Sequence, residues 1–165
     1  VEQSPQRRGR AFLLDQKGCK YVPHVSWFRT GTQLVIGNDD KAEHNINGYR
    51  NTMSDTQFNV SSEPGSKKDN IEQAYLEKPA TYIVKCDIHP WMNSWLVVAN
   101  TNHYAVTGAD GSFTIAGLPA GEHKAKFWHE TLGKAEATIK VDAEGKVAPV
   151  EVKMSAEKKG GGRRK

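Results

Sequence analysis

The sequence lacks the features that mark several large classes of protein. No apolar run approaches the roughly 20 residues that a membrane-spanning helix needs. Windows with the i, i+3, i+4, i+7 spacing of an amphipathic helix are scarce. There is no Gly-x-Ser-x-Gly elbow, no phosphate-binding glycine loop and no His-Glu-x-x-His zinc motif. These absences predict a protein that is neither helical nor an enzyme.

Cysteine is also sparse, with only Cys19 and Cys86 in 165 residues. In an oxidising compartment the two thiols would form a single disulfide. Alternatively, one of them is a metal ligand and the other is a bystander. Composition alone does not decide between these interpretations.

The positive charge is concentrated at the two ends of the chain. The net charge is +4 and the pI is about 9.0, and most of the excess lies in "QRRGR" and "EKKGGGRRK". We expect flexible basic arms over residues 1–10 and 155–165. They either keep the protein soluble or attract an anionic partner. The interior has no basic stripe interleaved with aromatics, which argues against nucleic acid as a partner.

What the sequence does contain is a succession of short β-rich runs separated by turn clusters such as "GNDD", "GADG" and "DAEG". This spacing predicts an all-β sandwich or barrel. The runs are "AFLL", "KYVPHVSWF", "TQLVI", "TQFNV", "TYIVKC", "SWLVVA", "FTIAGL", "HKAKFWH", "EATIKV" and "APVEVKM".

The organisation changes near Asn100. Downstream, "GADGS" and "LPAG" predict tight turns in a regular β meander. About fifty residues is little for an independent core. We therefore expect a smaller second β unit that packs against the first.

The segment "VKCDIHPWM" carries three metal-binding residue types within seven positions. Cys86 ends a predicted strand, and Pro90 fixes a turn that aims Cys86 and His89 at one point, with Met92 approaching from another side. A thiolate, an imidazole and a thioether together favour copper, and the thioether argues against zinc.

A second imidazole is available at His44, in "NDDKAEHN" after the strand "TQLVI". Two histidines, one cysteine and a weak axial methionine form the donor set of a blue-copper site, here His44, Cys86, His89 and Met92. Three alternatives stay open: Cys86 in a disulfide with Cys19, His44 as an ordinary loop residue, and Met92 as a core filler.

These motifs resemble the cupredoxin family, of the amicyanin and plastocyanin type. The resemblance runs from about Ala11 to Ala99 and depends on Cys-x2-His-x2-Met, on "GTQLVIGNDD" and on the "HN" pair. The later part, "YAVTGADGSFTIAGLPAGEHKAKFWH", resembles carboxypeptidase-regulatory-like modules of the transthyretin type. The domains expected from these resemblances are residues 11–100 and 101–154.

The resemblance implies a Greek-key β-sandwich that holds one type 1 copper and carries single electrons between larger redox partners. It implies that His44, Cys86, His89 and Met92 are the ligands and that Asn45 ties the two ligand loops together. Pro90 and Trp91 would form a docking patch where the electron leaves. Such chains are exported, so a periplasmic location is expected, with membrane association through a larger respiratory or photosynthetic assembly. The initial valine fits removal of a secretory signal.

Two other functions remain open from the sequence. One is a non-redox binding or structural β-sandwich held by a Cys19–Cys86 disulfide. The other is a Cu(I) trafficking or storage protein that uses the same ligands without a reversible redox couple.

Overall fold

The structure is a computed structural model that describes residues 11–66 and 73–155. The predicted basic arms lie outside these residues, apart from Ser155. The described part of the chain contains eleven β-strands and no helix of the length and apolarity that a membrane span needs. The strands are β1 (Phe12–Gln16), β2 (Tyr21–Val22), β3 (Val25–Arg29), β4 (Gln33–Ile36), β5 (His44–Arg50), β6 (Thr56–Ser62), β7 (Gln73–Tyr75), β8 (Ala80–Lys85), β9 (Asn93–Ala99), β10 (Gly121–His129) and β11 (Gly133–Val141).

The first nine strands form two sheets. One has the order β2-β1-β4-β7 and the other has the order β3-β9-β8-β5-β6. The pairs β1/β4 and β3/β9 are parallel, and the other pairs are antiparallel. The chain passes repeatedly from one sheet to the other, as a Greek-key connection requires. The predicted all-β sandwich is confirmed.

The core lies between these two sheets. Buried and half-buried residues alternate along β1, β3, β4, β8 and β9, as the two-residue period of a strand requires. Phe12 on β1 and Phe28 on β3 stack across the sandwich with ring centroids 5.0 Å apart. The other buried apolar members are Leu14, Tyr21, Leu34, Ile36, Ile46, Leu76, Tyr82, Val84, Cys86, Met92, Leu96 and Val98.

The chain divides into two compact units, Val1–Ile115 and Ala116–Lys165. The described part of the second unit is built on the β10/β11 hairpin, which pairs from Gly121↔Val141 to His129↔Gly133. The predicted domain boundaries and the transthyretin-type assignment stay predictions.

Two expected strands are not formed. The run at 113–118 and the run at 148–154 are both irregular. In the first run, Gly117 has a φ of 72°, which is outside the β region. In the second run, Pro149 has no backbone N–H to donate to a ladder.

Gly48 on β5, in the sheet β3-β9-β8-β5-β6, leaves no room for a side chain and gives a first prediction. A Cβ at this position would overlap the ring of Phe58 on the neighbouring strand β6, beside a register irregularity between Gly48 and Tyr49. We expect Gly48→Ala to lower the free energy of unfolding by about 1–3 kcal/mol, because the ring must leave its place. Urea denaturation measures this, and Gly48→Ala combined with Phe58→Ala should cost less than the sum of the two single changes. Additive costs would contradict the proposed overlap.

Candidate metal centre

Three strand ends of the second sheet meet where the candidate ligands lie. His44 is the first residue of β5, and Cys86 directly follows the last residue of β8. Because β5 and β8 are antiparallel neighbours, the start of one adjoins the end of the other. The turn from β8 to β9 spans residues 86–92 and supplies His89 and Met92. Ligand candidates 42 residues apart in sequence are therefore brought to one edge of the sheet.

The donor atoms of His44, Cys86 and His89 all lie within 4.8 Å of one another, so the three residues form a group that could hold a metal ion. Nδ1 of His44 is 2.9 Å from Nδ1 of His89, and the sulfur of Cys86 is 3.7 Å from that same His89 nitrogen. The two imidazole rings meet edge to face, with centroids 4.7 Å apart. His44 and Cys86 are buried, whereas His89 is half-buried.

The ligand turn is held by its own backbone. The Met92 N–H donates to the His89 carbonyl at 2.9 Å, and the Cys86 N–H donates to the Met92 carbonyl at 3.4 Å. The His89 N–H donates to the Cys86 sulfur at 3.4 Å. The Met92 side chain is 1% exposed. The turn thus places Cys86 and His89 side by side and buries the methionine that closes it.

Asn45 connects the segments that carry His44 and Cys86. Its Oδ1 accepts the Asp87 N–H at 2.6 Å, and its Nδ2 donates to the Asp87 carboxylate at 2.7 Å. The same Nδ2 also donates to Oδ1 of Asn59 on β6 at 2.9 Å. Asn45, which follows His44, thereby fixes Asp87, which follows Cys86.

Two residues that lie near the site were not predicted from the sequence as site residues. Tyr21 donates from its hydroxyl to the Asn45 carbonyl at 2.5 Å. Burial, followed by the nearby Cys86 and Asp87, raises the pKa of Tyr21 well above its usual value. The second residue is Asp40, whose Oδ2 lies 2.9 Å from Nε2 of the His44 ring. In the sequence, Asp40 is marked only as an acidic residue four positions before the candidate ligand His44.

The pKa of Asp40 is lowered although burial alone would raise it. Hydrogen bonds from the Cys19 and Gly18 N–H groups and from the His44 ring stabilise the ionised form and outweigh the burial. Asp40 is thus an anion that faces the back of one candidate ligand.

Cys19 and Cys86 are both free thiols, so the disulfide left open by the sequence is not formed. Cys19 sits in the turn between β1 and β2 with a φ of 53°. Its donor atom, with those of Asp40 and His44, forms a second group within 4.8 Å. Cys86 thus keeps the thiol that a metal site needs.

The surface beside His89 is apolar. Trp91 is 63% exposed, and its ring meets the His89 ring at a centroid distance of 5.2 Å. Pro90 and Ile88 are also exposed. The predicted docking residues Pro90 and Trp91 are therefore both exposed, and Trp91 lies against the candidate ligand His89.

Comparison with known proteins gives cupredoxin structures but no sequence match. A scan against protein-family models and a search of curated proteins both find nothing that matches. Amicyanin from Paracoccus versutus is 14% identical, with 59% of this chain and 91% of that chain covered and a TM-score of 0.46. A purple cupredoxin from Nitrosopumilus maritimus is 21% identical, with 52% and 95% covered and a TM-score of 0.43. The copper-containing nitrite reductase of Thermus scotoductus is 18% identical, with 59% and 26% covered and a TM-score of 0.47. All three of these TM-scores are below 0.5.

Proposed function

We propose that the protein carries single electrons on one copper ion, which His44, Cys86, His89 and Met92 would hold. The observation that supports this best is the convergence of two imidazole nitrogens and one free thiol within 4.8 Å. A thiolate and two imidazoles beside a methionine are the donors that copper prefers in electron-transfer sites. Bound copper would supply a centre that accepts and returns one electron.

The spacing of the donors fits such an ion. Bonds of about 2.0 Å to nitrogen and about 2.3 Å to sulfur, opened at roughly 110–120°, place the two donor atoms about 3.5–3.7 Å apart. The Cys86 sulfur and the His89 nitrogen are 3.7 Å apart. The two histidine nitrogens, at 2.9 Å, need only a small separation to reach the same geometry.

The protein's own residues would keep this set in place while the charge of the site changes. His44 and Cys86 are fixed to antiparallel neighbours in one sheet, and Asn45 and Asp87 join the segments that carry them. A rigid ligand set suits electron transfer, since little has to rearrange when one electron arrives or leaves. Asn45 therefore acts behind the ligands, as a residue that orients them.

His89 is proposed as the exit for the electron, because it is the half-buried ligand and lies against the exposed ring of Trp91. Pro90 and Trp91 would then contact redox partners in transient complexes. The proposal includes export to the periplasm, membrane association only through partners, a metal-binding domain over residues 11–100 and an appended carboxypeptidase-regulatory-like unit over 101–154.

The test is to add Cu(II) to the metal-free protein and record the visible spectrum and a voltammogram. We expect strong absorption from the copper–thiolate bond and a reversible one-electron couple. Copper binding without a reversible couple would support the Cu(I) trafficking or storage function instead. A thiol titration of the unfolded, metal-free protein should find two thiols, and a count of zero would support the disulfide-bonded structural protein.

Copper should also stabilise the fold. A ligand that binds only the native state at about 100 times its dissociation constant adds about 2.7 kcal/mol to the free energy of unfolding. Thermal unfolding with and without Cu(II) measures this. An unchanged melting temperature at saturating copper would contradict a site built by the native strands.

A further inference from the structure

The carboxylate of Asp40 lies within hydrogen-bond distance of three nitrogen atoms at the back of the candidate site. Its Oδ1 accepts from the Gly18 N–H at 2.6 Å, and its Oδ2 accepts from the Cys19 N–H at 2.8 Å. The same Oδ2 lies 2.9 Å from Nε2 of the His44 ring. Because Oδ2 already acts as the acceptor of the Cys19 N–H, we infer that it also accepts from the His44 ring and that Nε2 is the donor.

This hydrogen bond decides which nitrogen of His44 is available to a metal. In a neutral imidazole, a proton on Nε2 leaves the lone pair on Nδ1. Nδ1 is the nitrogen that faces the other donors, 2.9 Å from Nδ1 of His89. Since the His44 ring is completely buried, water cannot provide a substitute partner for Nε2.

The turn that holds Asp40 also reaches the other side of the site. Gly18 and Cys19 have φ values of 63° and 53°, as the two central residues of a type I′ turn require. This conformation lets both N–H groups point at Asp40. The Cys19 carbonyl accepts from the Trp91 indole N–H at 3.2 Å, and Trp91 lies in the ligand turn beside His89. The backbone of Cys19 therefore joins the His44 side of the centre to the His89 side.

We propose that Asp40 is a positioning residue, which holds Nε2–H of His44 so that Nδ1 is presented to copper and which anchors the Gly18–Cys19 turn across the site. This role rests on the proposed function of His44 as a ligand. The alternative, a second metal bound by Cys19, Asp40 and His44, is less favoured because three N–H groups already occupy the carboxylate.

The first measurement uses the wild-type, metal-free protein. Long-range proton–nitrogen correlation spectra distinguish the two tautomers of a neutral histidine. We expect His44 as the Nε2–H tautomer. Finding the proton on Nδ1 would overturn the proposal without any variant being made.

The second measurement compares Cu(II) affinity in three variants of the full chain. Asp40→Asn replaces one acceptor oxygen by an NH₂ group, and we expect a loss of about 10–100-fold in affinity, as for other partners of ligating histidines. Asp39→Asn is the matched control, because it removes the same charge from a neighbouring carboxylate that meets solvent and Lys17. Cys19→Ser keeps the backbone bonds and removes the thiol. Both of these variants should bind copper as the wild type does.

The outcomes separate this inference from the proposed function. A wild type that shows copper–thiolate absorption, together with an Asp40→Asn variant of unchanged affinity, overturns the positioning role alone. If the wild type binds two equivalents of copper and Cys19→Ser binds only one, the second metal site is supported and the positioning role of Asp40 is overturned. A wild type without copper–thiolate absorption contradicts the proposed function, whereas the tautomer of His44 still reports on Asp40.

Discussion

Cys86→Ser is expected to abolish the visible absorption of the copper-loaded protein and to weaken Cu(II) binding by more than the roughly 100-fold that loss of a partner behind the ligands costs. The absorption depends on a sulfur-to-copper bond, which a hydroxyl cannot replace, because a serine oxygen is a harder and more weakly acidic donor. Spectrophotometric titration with Cu(II) measures both effects. The fold should change little, since serine is close to cysteine in size.

Cys19→Ser provides the control for Cys86→Ser, because the chain has only these two cysteines. The Cys19 thiol belongs to the turn between β1 and β2, and it is the backbone of this residue that touches Asp40 and Trp91. We expect its spectrum to match that of the wild type. If colour survived in Cys86→Ser and disappeared in Cys19→Ser, the ligand assignment would be wrong.

The sequence predicted the β-sandwich and the neighbourhood of the ligands because both depend on local signals. Short β-rich runs between turn clusters marked most of the strands, and Cys86, His89 and Met92 lie so close in the chain that one turn must bring them together. His44 was harder, because its approach to Cys86 depends on the pairing of β5 with β8. The order of residue types in a known kind of metal site supplied that link.

The role of Asp40 could not be predicted in the same way. Its partners Gly18 and Cys19 are more than twenty residues away, and only the folded turn between β1 and β2 turns their N–H groups towards it. For the same reason Cys19 was considered through its thiol alone. The strands predicted at 113–118 and 148–154 were wrong for a local reason. A glycine in the first run and a proline in the second outweighed the β-rich composition around them.

Phe28→Ala is expected to have the largest effect on stability, lowering the free energy of unfolding by about 3–5 kcal/mol. Phe28 has no exposed surface, and its ring stacks on Phe12 of the opposite sheet, so truncation leaves a cavity between the two sheets. Urea denaturation of the metal-free protein measures the loss. Phe28→Leu, which keeps most of the volume, should cost under about 1.5 kcal/mol.

The stability variant and the ligand variant should affect different properties. β3, which carries Phe28, pairs with β9 alone in its sheet, and none of the candidate ligands lies on it. Phe28→Ala should therefore leave the copper–thiolate spectrum of the folded fraction unchanged, whereas Cys86→Ser removes the spectrum and leaves the unfolding midpoint of the metal-free protein nearly unchanged. A Phe28→Ala protein that was stable but colourless would mean that the core between the sheets, and not the meeting of β5, β8 and β9, sets the geometry of the ligands.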